Sequence, residues 1–143
     1  MQQLDAAAEI DALPEKVWAV MTDLSSFPLW NPFIVRADGE LRPGGRLHVT
    51  LQVPEMRPVS FRPRLLVVEP GREIRWRGVT VLRGLFDGVH SLSVEALPDG
   101  RSRFRTHEDV TGILLPVLGK VMRRTQRGFE LFAEAVKARA EAS

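Results

Sequence analysis

The chain has 143 residues, of which 44% are hydrophobic and 27% are charged, and its formal net charge is +2. This length predicts one domain, residues 1–143, with enough apolar residues for a sizeable core. The lack of cysteine excludes disulfides, thiolate metal sites and cysteine nucleophiles, and the small net charge argues against nucleic acid as a partner.

The start of the chain carries no sign of export. Residues 1–5 lack both a basic region and an apolar region, and no stretch approaches about 18 apolar residues without charge. The sequence therefore predicts a cytoplasmic protein with no integral membrane segment.

The first 32 residues predict one strand and two short helices. Residues 3–11 form the strand, and Pro14 with Glu15 marks the start of the first helix. The proline-bounded residues 24–32 hold one more helical turn.

Six further strands are predicted before the chain ends in a helix. Turn residues separate them, namely Asp38-Gly39, Pro43-Gly44-Gly45, Pro70-Gly71 and Pro98-Asp99-Gly100. Connections this short predict an antiparallel meander. The predicted strands are residues 33–37, 46–53, 59–69, 73–78, 85–96 and 101–111.

The C-terminal segment predicts one long amphipathic helix from Pro116 to Arg139. Such a helix is a rod of roughly 36 Å. One helix cannot cover a broad flat sheet, so the sheet is predicted to curl around it. The predicted class is α+β, a curved antiparallel sheet of about seven strands wrapped around the C-terminal helix, with two short helices after the first strand.

Alternation along the strands predicts which side chains face the helix. Ile74 and Trp76 face inward, whereas His48 faces solvent. In the last hairpin, the apolar positions place His90 and Glu108 on the inward face. These two residues are the candidates for polar chemistry.

The loop at residues 98–100 pairs Leu92 with Thr106 and His90 with Glu108. A lone acid on an apolar face is costly to desolvate, whereas an acid beside an imidazole shares a proton or a hydrogen bond. Two interpretations stay open. The pair either satisfies itself near the open end of the sheet, or it orients a ligand and acts as a catalytic acid and base.

Two more residues have alternative interpretations. Thr125 lies at the centre of the helix's apolar stripe, where its hydroxyl bonds either the helix backbone or a ligand. Trp30 belongs either to the core or to the mouth of a pocket.

Other kinds of site find little support. Three histidines without cysteine do not form a metal site, residues 43–45 match no phosphate-binding pattern, and G-x-S-x-G is absent. No metal or other cofactor is predicted.

The residues also resemble a known family. Residues 10–18, Ile-Asp-Ala-Leu-Pro-Glu-Lys-Val-Trp, with Asp23 and Trp30-Asn31-Pro32, resemble the opening signature of the SRPBCC superfamily. These are helix-grip proteins that include START domains and polyketide cyclase/dehydrase-type proteins. Later segments agree in order over nearly the whole chain, namely Pro43-Gly44-Gly45, Val68-Glu69-Pro70, residues 74–78, Gly88-Val89-His90, Asp99-Gly100 and residues 104–112.

The resemblance implies a helix-grip fold with a hydrophobic cavity between the sheet and the C-terminal helix. Its expected function is binding of a hydrophobic or aromatic small molecule, lipid-like or polyketide-like. The alternatives are a polyketide cyclase or dehydratase that uses His90 and Glu108, or a chaperone-associated interaction domain. Ligand identity, catalysis and oligomeric state, a homodimer included, stay open.

The residues expected to bind the ligand fall into two groups. The apolar wall comprises Trp30, Phe33, Leu51, Trp76, Leu92, Leu118, Met122 and Phe129, and the polar points are His90, Thr106, Glu108 and Thr125.

Overall fold

The computed structural model describes residues 1–79 and 87–142, except for the side chain of Val79. Strands and helices follow one another in the predicted order within these residues. The strands are β1 (Gln2–Ile10), β2 (Ile34–Asp38), β3 (His48–Leu51), β4 (Val59–Phe61), β5 (Arg64–Glu69), β6 (Glu73–Val79), β7 (Asp87–Ala96) and β8 (Ser102–Thr111). The helices are α1 (Pro14–Thr22), α2 (Phe27–Trp30) and α3 (Gly119–Glu141).

The strands form two antiparallel sheets. The larger has the order β1-β8-β7-β6-β5 and the smaller the order β2-β3-β4. An isolated bridge between Arg46 and Arg64 connects them. The larger sheet packs against α3, chiefly through β1, and encloses the fully buried rings of Phe104 and Phe132. The predicted α+β helix-grip class is confirmed.

The prediction of one continuous strand over residues 59–69 is wrong. The structure divides it into β4, which ends at Phe61, and β5, which begins at Arg64. Pro63 lies between them and has no N–H for a strand ladder, although its carbonyl accepts a hydrogen bond from the Leu47 N–H at 3.1 Å. The described residues therefore contain eight strands, and the start predicted at Leu85 lies outside them.

The long helix begins later than predicted. Leu115–Val117 forms a 3-10 turn, and α3 begins at Gly119 rather than at Pro116. Leu118 adopts φ −106° and ψ 23°, which is not an α-helical conformation. Because of this change of direction, Leu118 is only half-buried, while Met122, Phe129 and Val136 lie in the core.

Strand β1 is attached to α3 along most of the helix. The Gln126 amide accepts a hydrogen bond from the Asp5 N–H at 3.1 Å and donates one to the Asp5 carbonyl at 2.7 Å. Further along, Lys137 Nζ donates to the Glu9 carbonyl at 2.7 Å, and Glu141 Oε2 accepts from the Asp11 N–H at 2.8 Å. The backbone hydrogen bond from Asp11 is the main reason why the pKa of Glu141 is lowered.

No helix in the two described ranges is both long enough and apolar enough to cross a membrane.

Candidate functional site

A cavity of about 140 Å³ lies between the two sheets and the first turns of α3. Its volume is close to the ~150 Å³ of an engineered apolar cavity that admits benzene. Among the described residues, its lining is apolar apart from three polar side chains, those of His90, Glu108 and Thr125. The other lining residues are Leu4, Leu51, Val53, Met56, Val59, Phe61, Trp76, Gly78, Val110, Val121 and Met122.

Two glycines facing each other across strands form a recess in the cavity wall. Gly78 of β6 pairs with Gly88 of β7, and both positions share the inward parity of Trp76 and His90. A Cβ atom at Gly78 would lie 2.8 Å from the Phe61 ring, and one at Gly88 would overlap the Glu108 carboxyl group. The Phe61 ring and the Glu108 carboxyl group therefore occupy the space that larger residues at positions 78 and 88 would fill with their side chains.

Glu108 is a partly buried carboxylic acid that no protein group pairs with in the described part of the chain. It forms no hydrogen bond or ion pair there, and its side chain leans along β7 over Gly88. Burial raises its pKa to about 7, with smaller opposing effects from His107 and Asp109. Near neutral pH the group is therefore divided between its protonated and ionised forms.

His90 is held rigidly beside this acid. Its Nε2 lies 2.7 Å from Thr106 Oγ1, and its ring stacks on Phe129 with 4.8 Å between centroids and 14° between planes. The edge of Trp76 meets it at 5.1 Å. Burial, assisted by His107, lowers the pKa of His90 to about 3, so the imidazole is uncharged at neutral pH.

The hydrogen bond to Thr106 also assigns the tautomer of His90. Among the described residues, the Thr106 hydroxyl has no other acceptor, so we assign its proton to the bond with Nε2. The imidazole proton then lies on Nδ1, and His90 offers one N–H donor.

The prediction that His90 and Glu108 face each other across neighbouring strands is confirmed. The expected hydrogen bond between their side chains is wrong. The two residues are direct partners on β7 and β8. However, the imidazole bonds Thr106 two residues away, and the carboxyl group turns toward Gly88. The side chains do not share a proton in this geometry.

Half of the residues predicted to bind a ligand lie at the cavity surface. These are Leu51, Trp76, His90, Glu108, Met122 and Thr125. The Thr125 hydroxyl donates to the Val121 carbonyl at 2.7 Å, as the backbone interpretation predicted.

The other six predicted ligand-binding residues do not line the cavity. Phe129 and Thr106 lie behind His90 and support its ring, and Phe33 packs under α3 with its ring 5.3 Å from that of Phe129. Trp30 packs on Phe27 at 5.4 Å. Leu92 is buried in the core and Leu118 precedes α3.

Of the cavity wall formed by the smaller sheet, the sequence predicted Leu51 but missed the residues that follow it. Met56, Val59 and Phe61 come from the β3–β4 hairpin, which ends just before the break between β4 and β5 at Pro63. Gly78 and Gly88 did carry a signal, since glycine inside a strand often marks the close approach of another group. No group of three or more potential metal ligands is found in residues 1–79 and 87–142.

Comparison with known proteins identifies the family of the chain. The family model described as polyketide cyclase / dehydrase and lipid transport matches residues 1–141. Among curated protein sequences, no significant match was found.

Two solved structures illustrate the similarity of fold. The ZhuI aromatase/cyclase from Streptomyces sp. R1128 superposes with a TM-score of 0.79 at 14% identity, covering 98% of this chain and 93% of that one. A START superfamily protein from Mycobacterium smegmatis gives 0.76 at 18% identity, covering 98% and 97%.

Proposed function

Because the chain belongs to the polyketide cyclase / dehydrase and lipid transport family, we propose that it binds a compact hydrophobic or aromatic molecule in the cavity beside α3. The observation that carries the proposal is a cavity of about 140 Å³ whose described wall is mostly apolar and holds the carboxyl group of Glu108, which no described residue pairs with. Cavities of this kind bury the apolar part of a ligand and use a few polar groups to orient it.

The volume supports a ligand with about one ring. Pockets for drug-sized ligands span about 300–1,000 Å³, so a cavity of about 140 Å³ is too small for an extended acyl chain or a multi-ring polyketide. Trp76 and Phe61 supply aromatic surface for stacking against such a ring.

A second candidate is an enzyme that moves a proton on its bound ligand. Glu108 supports it, because a pKa of about 7 suits a general acid or base at neutral pH. His90 does not, because an imidazole with a pKa of about 3 is too weak a base. The expected acid and base pair is thus reduced to Glu108. The aromatase/cyclase named above shares the fold of this chain.

Binding is tested with toluene, which has one apolar ring, and palmitate, which has a long acyl chain. Toluene should raise the melting temperature of the protein, because a ligand that binds the folded state stabilises it by mass action. Palmitate should not, because it exceeds the cavity. Differential scanning fluorimetry followed by calorimetric titration measures both.

A matched pair of variants locates the site. Leu51→Trp fills the cavity from a partly exposed lining position and should abolish the stabilisation by toluene. Leu66→Trp makes the same change on the solvent face of β5, where Leu66 is 45% exposed, and should leave it intact. A wild-type protein that toluene does not stabilise, or equal losses in both variants, would contradict the proposal.

A further inference from the structure

The carboxyl group of Glu108 has an unusual environment for a carboxylate. It lies against the backbone of Gly88 inside an apolar cavity, with no hydrogen bond or ion pair from the described residues. Burying an ionised group without a partner is costly, and proteins normally supply one. A ligand that brings the missing partner therefore gains binding free energy that a purely apolar ligand does not.

The described residues of the elements around Glu108 place no positive charge in the cavity. From β7, His90 faces the cavity uncharged, with Nε2 bonded to Thr106. From α3 come Met122 and Thr125, whose hydroxyl is bonded to a backbone carbonyl, and β1 contributes Leu4.

The titratable neighbours of Glu108 on its own strand lie on the opposite face. His107 there bonds Asp5 at 2.9 Å through Nδ1 and Asp109 at 3.0 Å through Nε2. These acids hold the imidazole outside the cavity. The described cavity wall is therefore electrostatically negative whenever Glu108 is ionised.

Aromatic rings stand beside the carboxyl group. Phe61 lies over Gly78, which pairs with Gly88 under Glu108, so the ring and the acid cover adjacent strands about 5 Å apart. Trp76 lines the same cavity. Faces of aromatic rings attract cations, and Trp does so most strongly.

Resting on the proposed binding function, we propose that the cavity selects a one-ring compound that carries a basic amine, and that the ammonium group pairs with Glu108. The ring fills the apolar space beside α3, and the amine supplies hydrogen-bond donors to Glu108 and a positive charge that the described cavity wall lacks. Anionic ligands of the same size are excluded by repulsion from the carboxylate.

The pKa of Glu108, about 7, adds a pH dependence to this recognition. An ammonium ion pairs with the ionised acid, so affinity for a cationic ligand should rise with pH up to about 8 and then level off. Affinity for a neutral ligand of the same shape should change little over that range.

Three probes with one ring and different charges test the inference, namely benzylamine, benzyl alcohol and benzoate. Calorimetric titration at about pH 8, where Glu108 is ionised and benzylamine is protonated, should give benzylamine an affinity at least about tenfold higher than benzyl alcohol, since hydrogen bonds to charged groups are the stronger class. Benzoate should not bind.

The variant Glu108→Gln keeps the shape of the side chain and removes its charge. It should lower benzylamine affinity about tenfold and change benzyl alcohol affinity by less than about threefold. Glu134→Gln, on the exposed face of α3, is the matched control and should change neither. Circular dichroism establishes that both variants fold.

The outcomes separate this inference from the proposed function. If toluene binds but benzylamine has no advantage over benzyl alcohol, or keeps it in Glu108→Gln, the amine preference is wrong while binding stands. Tighter binding of benzoate has the same meaning. If neither toluene nor any of the three probes binds, both proposals are wrong.

Discussion

At the scale of single residues, two glycines in close contact with other side chains have different consequences for stability. Gly88 adjoins the free end of a flexible glutamate, whereas Gly128 on α3 adjoins the Phe33 ring, which would lie 2.6 Å from an added Cβ. That ring is 1% exposed and wedged against Phe129. It therefore has no space into which it can move.

Substituting alanine at each position should separate these cases. Gly128→Ala should lower the free energy of unfolding. Overpacking costs about 1–3 kcal/mol, which exceeds the roughly 0.5–1 kcal/mol by which alanine stabilises a helix relative to glycine. Gly88→Ala should stay within about 1 kcal/mol of wild type, because the Glu108 carboxyl group can swing aside. Urea denaturation measures both, and a larger loss in Gly88→Ala would contradict this account.

The sequence predicted the faces of the site residues better than their partners. Strand alternation placed His90 and Glu108 inward, and the hairpin loop placed them in register. The hydrogen-bond partner of His90 could not be predicted. Thr106 and Glu108 lie on the same face of β8, and the side-chain rotamers decide which of them the imidazole contacts. The free space over Gly88 decides the direction of Glu108.

At the scale of elements, α3 is held to the sheet by aromatic packing in its middle. Phe129 is fully buried, with the Phe33 ring 5.3 Å away and the His90 ring stacked on it at 4.8 Å. The helix therefore contributes to the core and supports the wall of the cavity through the same side chain.

Phe129→Ala should lower the free energy of unfolding by about 3–5 kcal/mol, because it removes a buried ring and leaves a void. Glu134→Ala on the solvent face of α3 should change it by less than about 0.5 kcal/mol. Chemical denaturation of the two variants tests the comparison. A loss below about 1 kcal/mol in Phe129→Ala would show that the Phe129 ring does not hold α3 in the core.

The order of the elements was predictable and some boundaries were not. Periodicity and turn residues gave the helix-grip order, since each strand and helix carries its own pattern. Pro63 and Pro116 shift the ends of β4, β5 and α3, because proline restricts the backbone in ways that hydrophobic alternation does not register. The split into two sheets followed from the first of these shifts.

At the scale of the whole molecule, Glu108 and His90 act on stability in opposite directions. The folded pKa of Glu108 is raised from 4.5 to about 7, so its contribution to stability falls as pH rises from 4.5 to 7. The folded pKa of His90 is lowered from 6.5 to about 3, so its contribution rises with pH from 3 to 6.5. Their slopes offset each other between pH 4.5 and 6.5.

Glu108→Gln should reveal the pH dependence of stability that His90 alone produces. In the variant, the free energy of unfolding should rise between pH 4.5 and 6.5 relative to wild type, with a limiting slope of about 1.4 kcal/mol per pH unit for one proton. Urea denaturation across that range measures the difference, in which unaltered surface groups cancel. Parallel curves would mean that Glu108 has an ordinary pKa, which would also remove the support for proton transfer.

The attachment of β1 to α3 has a mechanical consequence. Of the 23 residues in the helix, those from Gln126 onward are fastened through Asp5, Glu9 and Asp11. The turns before Gln126, which border the cavity, lie beyond these bonds and are held instead by the buried Met122 and by the Arg124–Glu55 ion pair at 3.7 Å. A ligand that enters the cavity should therefore displace these first turns more than the part of α3 that is hydrogen-bonded to residues 5–11.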